Sequence, residues 1–136
     1  MGTWSHEPFG NDSACDWAYG LVKQKHFTSV ETAIRSVLDE GDGYVDADVA
    51  VEAVAAAEVL AKALGRGTQA DVYTEEVDAW LASISIKPSS DLVDKANAAL
   101  GRILESESEL RELWEESDEL DAWESSIRTL QAALSA

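Results

Sequence analysis

The chain has 136 residues, enough for one domain with a real core and short of what two would need. Ten Lys and Arg stand against twenty-seven Asp and Glu, a formal net charge of −17. Such a charge disfavours nucleic-acid phosphates and anionic membranes and complements a basic protein surface, although solubility alone would also account for it.

Residues 1–10 are expected to be extended or looped, because Pro8 disfavours helix at Glu7 and Gly10 loosens the backbone. They lack the basic start and apolar run of a secretory signal. Asn11 or Asp12 then caps a first helix, whose Ala14, Trp17, Ala18 and Leu21 make one apolar stripe ending near Lys25. Trp4, Phe9 and Trp17 read as apolar anchors that lay this opening segment across one end of the core. Thr28 and Glu31 form a capping box for a second helix carrying Val30, Ala33, Ile34, Val37 and Leu38. Gly41-Asp42-Gly43 stops it.

Asp46 or Asp48 caps a third helix that runs to Leu64, with Gly65 just past its end. Its consecutive Ala55, Ala56 and Ala57 leave little side chain between backbones, which suits the centre of a bundle. Thr74 caps a fourth helix with Val77, Trp80, Leu81 and Ile84 facing inward. Lys87-Pro88-Ser89-Ser90 breaks it, and Ser90 or Asp91 opens a fifth helix reaching Leu104 through Gly101. The C-terminal third holds two more apolar clusters. Leu110, Leu113 and Trp114 form one; Leu120, Trp123, Ile127, Leu130 and Leu134 form the other, with a bend at Ser117-Asp118. No segment alternates convincingly as a strand. The expected fold is all-α: a single domain over residues 1–136, a compact bundle of six to seven short helices with the N-terminal segment packed on it.

Chemical motifs fail one by one. His6-Glu7 lacks the second His that a zinc-protease helix needs four residues on, where Gly10 stands. Asp39, Asp42, Asp46 and Asp48 fit no register of a calcium loop. Cys15, the single cysteine, cannot form an intrachain disulfide, and its neighbour Asp16 raises a thiol pKa where a nucleophile needs it lowered. No phosphate loop, nucleophile elbow or dinucleotide fingerprint occurs. No metal, no cofactor and no enzymatic activity is therefore expected. No stretch approaches the roughly 18 apolar residues of a membrane span, so the expected location is the cytoplasm.

The densest unusual feature lies between Glu105 and Glu124, where ten acidic residues face one Arg, Arg111. Like charges three or four apart destabilise an isolated helix by roughly 0.2–0.5 kcal/mol per pair. A basic partner would relieve them; a solvated face with Trp114 and Trp123 turned into the core is the plain alternative. The candidate partner-binding residues are Glu105, Glu109, Glu112, Glu115, Glu116, Asp118 and Glu119.

Met1-Gly2-Thr3-Trp4, Pro8-Phe9, Asn11-Asp12, Ala14 and Asp16-Trp17, followed by Ala55 to Glu58, Trp80-Leu81 and Ser108-Glu109-Leu110 with Leu113-Trp114, resemble a family of small bacterial proteins. That family is classed as a domain of unknown function (number 4259). The chain departs from the pattern at Ser5 and Glu7, where small residues are expected, and at Gly10, usually acidic. The resemblance implies a mostly helical cytosolic domain and supplies no catalytic residues. By analogy with other small acidic bacterial proteins, the expected function is protein binding, most concretely an immunity protein or antitoxin-like inhibitor. Its basic protein partner would be a cognate toxin, a nuclease among the candidates. The alternatives are a structural or regulatory oligomeric subunit, and an enzyme with a site built from His6, Glu7, Asp12 and Asp16.

Overall fold

The apolar spacing of the sequence becomes seven α-helices within residues 5–135, which the structure, a computed structural model, describes. They are α1 (Asp12–Leu21), α2 (Thr28–Leu38), α3 (Ala47–Ala63), α4 (Glu75–Ile84), α5 (Ser90–Leu104), α6 (Glu109–Glu115) and α7 (Leu120–Ser135). Among the described residues there is no extended strand, only one isolated parallel bridge between Val45 and Ser108. Trp4, expected to anchor the opening segment, lies outside the described residues. Phe9 is fully buried and Trp17 is half-buried against the core. Burying a side chain such as Phe9 contributes about 1.5–3 kcal/mol.

Helix α3 is the hub, packing against α1, α2, α4, α5, α6 and α7. Its alanines explain this: Ala53, Ala55, Ala56, Ala57 and Ala61 are all buried, so neighbours close in on every side and not on one stripe. Its end follows the expected glycine stop. Gly65 adopts φ +80, its N–H donates to Lys62 O at 2.9 Å, and Arg66 N–H donates to Ala61 O at 2.8 Å. That pair of bonds is the Schellman arrangement, which an L side chain at position 65 would strain.

Several helix ends depart from the local reading, each for a tertiary reason. Helix α1 stops at Leu21 and not near Lys25, where two tight turns take over and the indole N–H of Trp80 claims the carbonyl of Gln24 at 2.6 Å. The Thr28–Glu31 capping box does not form. Phe27 is drawn into the core, edge-on to Trp80 with ring centroids 6.1 Å apart, so Thr28 is already inside the helix. Thr74 takes the N-cap position of α4 as expected but caps it with no side-chain bond; its hydroxyl serves instead a capping box with Asp71 around a 3-10 turn (Val72–Thr74). Ser89, not Ser90 or Asp91, caps α5 by accepting from Leu92 N–H at 3.1 Å. Neither Asp46 nor Asp48 caps α3 through its side chain; that role falls to a residue 62 positions away.

One buried polar cluster interrupts the apolar core. Glu58 of α3 is 0% exposed. Its carboxylate accepts from Thr68 N–H and Thr68 Oγ1, both at 2.7 Å, and from Gln69 N–H at 2.9 Å. Lys62, one turn on, lies 3.9 Å from it, pairs with Asp78 at 2.9 Å and donates to Gln69 O. Gln69 passes the order outward, accepting from Phe9 N–H at 2.8 Å and donating to Asp71 Oδ2 at 3.0 Å. Burial pushes the Glu58 carboxyl above its ordinary range, while the Thr68 and Gln69 bonds and the Lys62 ammonium oppose that shift.

Candidate functional site

The acidic run folds into the loop that follows α5, α6, the bend after it and the start of α7. A seven-residue helix carrying Glu109, Glu112 and Glu115 would not hold together alone. Four tertiary devices hold it. Ser108 caps it, its Oγ accepting from Arg111 N–H at 3.4 Å. Val45 N–H donates to Glu107 O and Glu109 N–H to Val45 O, both at 2.9 Å, which zips the loop before α6 to the loop before α3. Arg102 ties the same loops, donating to Gly41 O and Ser106 O at 2.9 Å and to Gly43 O and Glu107 O. Glu109 then reaches back to accept from Ala47 N–H at 2.7 Å, capping α3. Glu107 takes φ +62 at this junction, a conformation costing a non-glycine residue of order 1 kcal/mol, and the bonds around it hold it there.

The seven expected partner-binding residues therefore divide. Glu109 is half-buried and bonded to α3. Glu112 accepts from the Tyr44 hydroxyl at 2.7 Å, and that bond, with lesser contributions from burial and from the charges of Glu112, Glu109 and Asp46, pushes the Tyr44 pKa up to about 12. Glu115 pairs with Arg111 at 3.2 Å. Glu105, Glu116, Asp118 and Glu119 are exposed, with no Lys or Arg within ion-pair distance among the described residues.

Beside this helix opens a cleft of about 360 Å³. Segment 5–8 and Asn11 form one wall, Val51 and Val54 of α3 and Trp123 of α7 line it, and Leu110, Leu113 and Trp114 of α6 with Ser117 and Glu119 form the other wall. Trp123 is buried, as its heptad-like position predicts, whereas Trp114 is half-buried at the cleft and Leu113 is 51% exposed. Among the described residues no Lys or Arg lines it. His6 lines it too, and its Nδ1 is buried with no hydrogen-bond partner among the described residues. A buried polar atom left unpaired costs about 1–3 kcal/mol and calls for an explanation.

The N-terminal residues weighed as an enzyme site do not gather. His6 and Glu7 line the cleft, whereas Asp12 and Asp16 are exposed on α1 and do not. Cys15 is half-buried with its Sγ 3.6 Å from Phe9 O. Burial first, and then Asp12, Asp16 and Asp71, push its thiol pKa up, away from nucleophile chemistry. Among the described residues no three His, Cys, Asp or Glu side chains gather to hold a metal ion, and no helix is long and apolar enough to cross a membrane.

Sequence reasoning missed the cleft itself. It placed Leu113 in an apolar cluster, read Ser117 only as part of a bend and gave Val51 and Val54 no role, because a groove between three helices and a loop leaves no local period. The one available signal was His6-Glu7, polar residues beside the buried Pro8 and Phe9.

Fold and site together define an acidic helical domain with an open apolar cleft beside a highly charged short helix. The chain belongs to the family described as Domain of unknown function (DUF4259), whose sequence profile matches residues 2–126. Comparison with curated proteins and with solved structures gives no match.

Proposed function

We infer that this is a protein-binding domain whose α6–α7 face holds a basic protein partner, most concretely as an immunity protein or antitoxin-like inhibitor covering the basic active surface of a toxin. One observation carries the reading: Glu105, Glu116, Asp118 and Glu119 are exposed, without a neighbouring cation among the described residues, and Glu119 borders an open apolar cleft. A face kept only for solubility has no use for a half-open row of Leu113, Trp114 and Val51 beside it. Exposed carboxylates of one sign favour fast association with a basic surface, at a rate that falls as salt rises. The net charge of −17 works against the alternative of a self-associating structural subunit.

The test is co-expression with a toxin encoded beside the gene, comparing wild type with a Glu116→Lys, Asp118→Lys, Glu119→Lys variant. Glu109, Glu112 and Glu115 are left alone because all three make internal bonds. The reversal is expected to abolish protection while circular dichroism stays unchanged. Full protection by the reversed protein would rule out this face.

A further inference from the structure

We propose that the cleft is the anchor pocket for that basic partner. A polypeptide segment inserts one apolar side chain between Val51, Val54, Leu110 and Trp123, and Lys or Arg on either side of it faces Glu7 and Glu119. The proposal rests on the reading of α6–α7 as the partner face and adds what fixes the partner's register there.

The cleft's size falls within the range of small binding pockets, roughly 300–1,000 Å³, ample for one large side chain. Its floor is aliphatic and aromatic, and among the described residues its Asp, Glu, Lys and Arg lining groups are two carboxylates, Glu7 on one wall and Glu119 on the other. Arg111, the one basic residue of the Glu105–Glu124 run, is spent elsewhere, donating to Leu104 O at 2.7 Å and to Glu115 at 3.2 Å. An apolar centre with an acidic rim is complementary to an apolar residue flanked by cations. The Nδ1 of His6, in the cleft wall, is buried and has no hydrogen-bond partner among the described residues. A second copy of this chain is a poor occupant, since it would bring −17 to a rim already negative.

Both walls are built in advance. Gln69 holds segment 5–10 through Phe9 N–H, and Ser108, Arg102 and Glu109 fix α6. A preformed groove loses less entropy on binding than one that must assemble.

The experiment titrates the intact protein with three synthetic peptides: Lys-Lys-Phe-Lys-Lys, Lys-Lys-Ser-Lys-Lys and Ser-Ser-Phe-Ser-Ser. It follows Kd and the indole N–H signals of Trp114, Trp123 and Trp80. Trp80, bonded to Gln24 O on another side of the core, is the internal control. The cationic Phe peptide is expected to bind about ten-fold or more tighter than its Ser counterpart, as burial of one aromatic side chain implies. It should shift Trp114 and Trp123 but not Trp80. Leu113→Ser, at an exposed position on the cleft wall, should narrow the difference between the two cationic peptides, and Glu119→Lys should weaken both. Equal Kd for those two peptides, each weakened by salt, overturns the anchor while leaving the acidic face in place. A neutral Phe peptide that binds as tightly as the cationic one, without response to salt, overturns the anchor and the acidic face together. Self-association that buries the Trp114 signal in the peptide-free protein overturns the choice of occupant.

Discussion

Glu58 gives the sharpest test of how this fold is held. Replacing it by Ala removes the acceptor for Thr68 N–H, Thr68 Oγ1 and Gln69 N–H, all now bonded at 2.7–2.9 Å. Gln69 is buried, so its N–H would find no water; Thr68 is half-buried and keeps some access. One fully stranded N–H, one partly stranded, and the loss of a buried charge partner sum to about 3–5 kcal/mol of destabilisation. Glu58→Gln is the informative contrast. Its amide oxygen can keep both backbone N–H bonds, and its amide nitrogen can donate to the Thr68 hydroxyl, which accepts as readily as it donates. Only the attraction to Lys62 is lost, and Lys62 retains Asp78 at 2.9 Å. The Gln variant should therefore stay within about 1 kcal/mol of wild type. Urea unfolding followed by tryptophan fluorescence measures both. The reasoning is refuted if Ala costs less than about 1 kcal/mol, or if Gln is as damaging as Ala.

The same pair of proteins carries a pH prediction. Burial raises the folded-state pKa of Glu58 above its ordinary 4.5, so between those two values the folded chain binds a proton that the unfolded chain has lost. The stability this group contributes is full below the ordinary value and is lost as pH rises through the raised one. Subtracting the Glu58→Gln stability curve from the wild-type curve should leave a fall with rising pH that begins near 4.5. A flat difference would show that the hydrogen bonds to the carboxylate fully offset its burial.

Three further outcomes follow from local geometry. Gly10→Ala should cost about 1–3 kcal/mol in urea unfolding, because a Cβ there would strike Ser5 Oγ and lie 2.8 Å from Ser5 O; Ser5→Gly should recover part of the loss and no more. Gly101→Ala should raise stability by about 0.5–1 kcal/mol, read as a higher Tm, since the nearest atom to its Cβ is Gln131 Nε2 at an ordinary 3.6 Å. Absorbance titration of the three tyrosines should show one, Tyr44, ionising near 12, and Glu112→Gln should bring it back toward 10.0.

The helices were legible in the sequence because amphipathic spacing is local: Ala14, Ala18 and Leu21, or Trp123, Ile127, Leu130 and Leu134, are buried where their periods put them. The central place of α3 was legible from its alanines. What was not legible came from distant residues. Nothing near Asp46 announces that Glu109 will cap the helix that follows it, and nothing in an Ala-rich stretch announces that its glutamate is fully enclosed. Likewise Ser85 takes φ +52 and ends α4 in a left-handed turn, a conformation its residue type does not announce. The acidic run was legible as charge, but its division into bonded and free carboxylates was not. Glu109, Glu112 and Glu115 answer to Ala47, Tyr44 and Arg111, of which only Arg111 lies at helical spacing.

That division explains how so acidic a surface can be stable and still be available. The carboxylates with internal work sit where they fasten α6: one caps α3, one takes the Tyr44 hydroxyl, one neutralises Arg111. Repulsion along the helix is thereby reduced without importing cations to its open side. Glu105, Glu116, Asp118 and Glu119 stay on that side as fixed charge. Across the cleft, the opposite wall is held from behind, from Glu58 through Gln69 to Phe9, by a network that never reaches the cleft lining. Loosening Glu58 would therefore reach the cleft through its wall and not through its chemistry. The stability of the buried cluster and the readiness of the surface groove are two consequences of the same chain of hydrogen bonds.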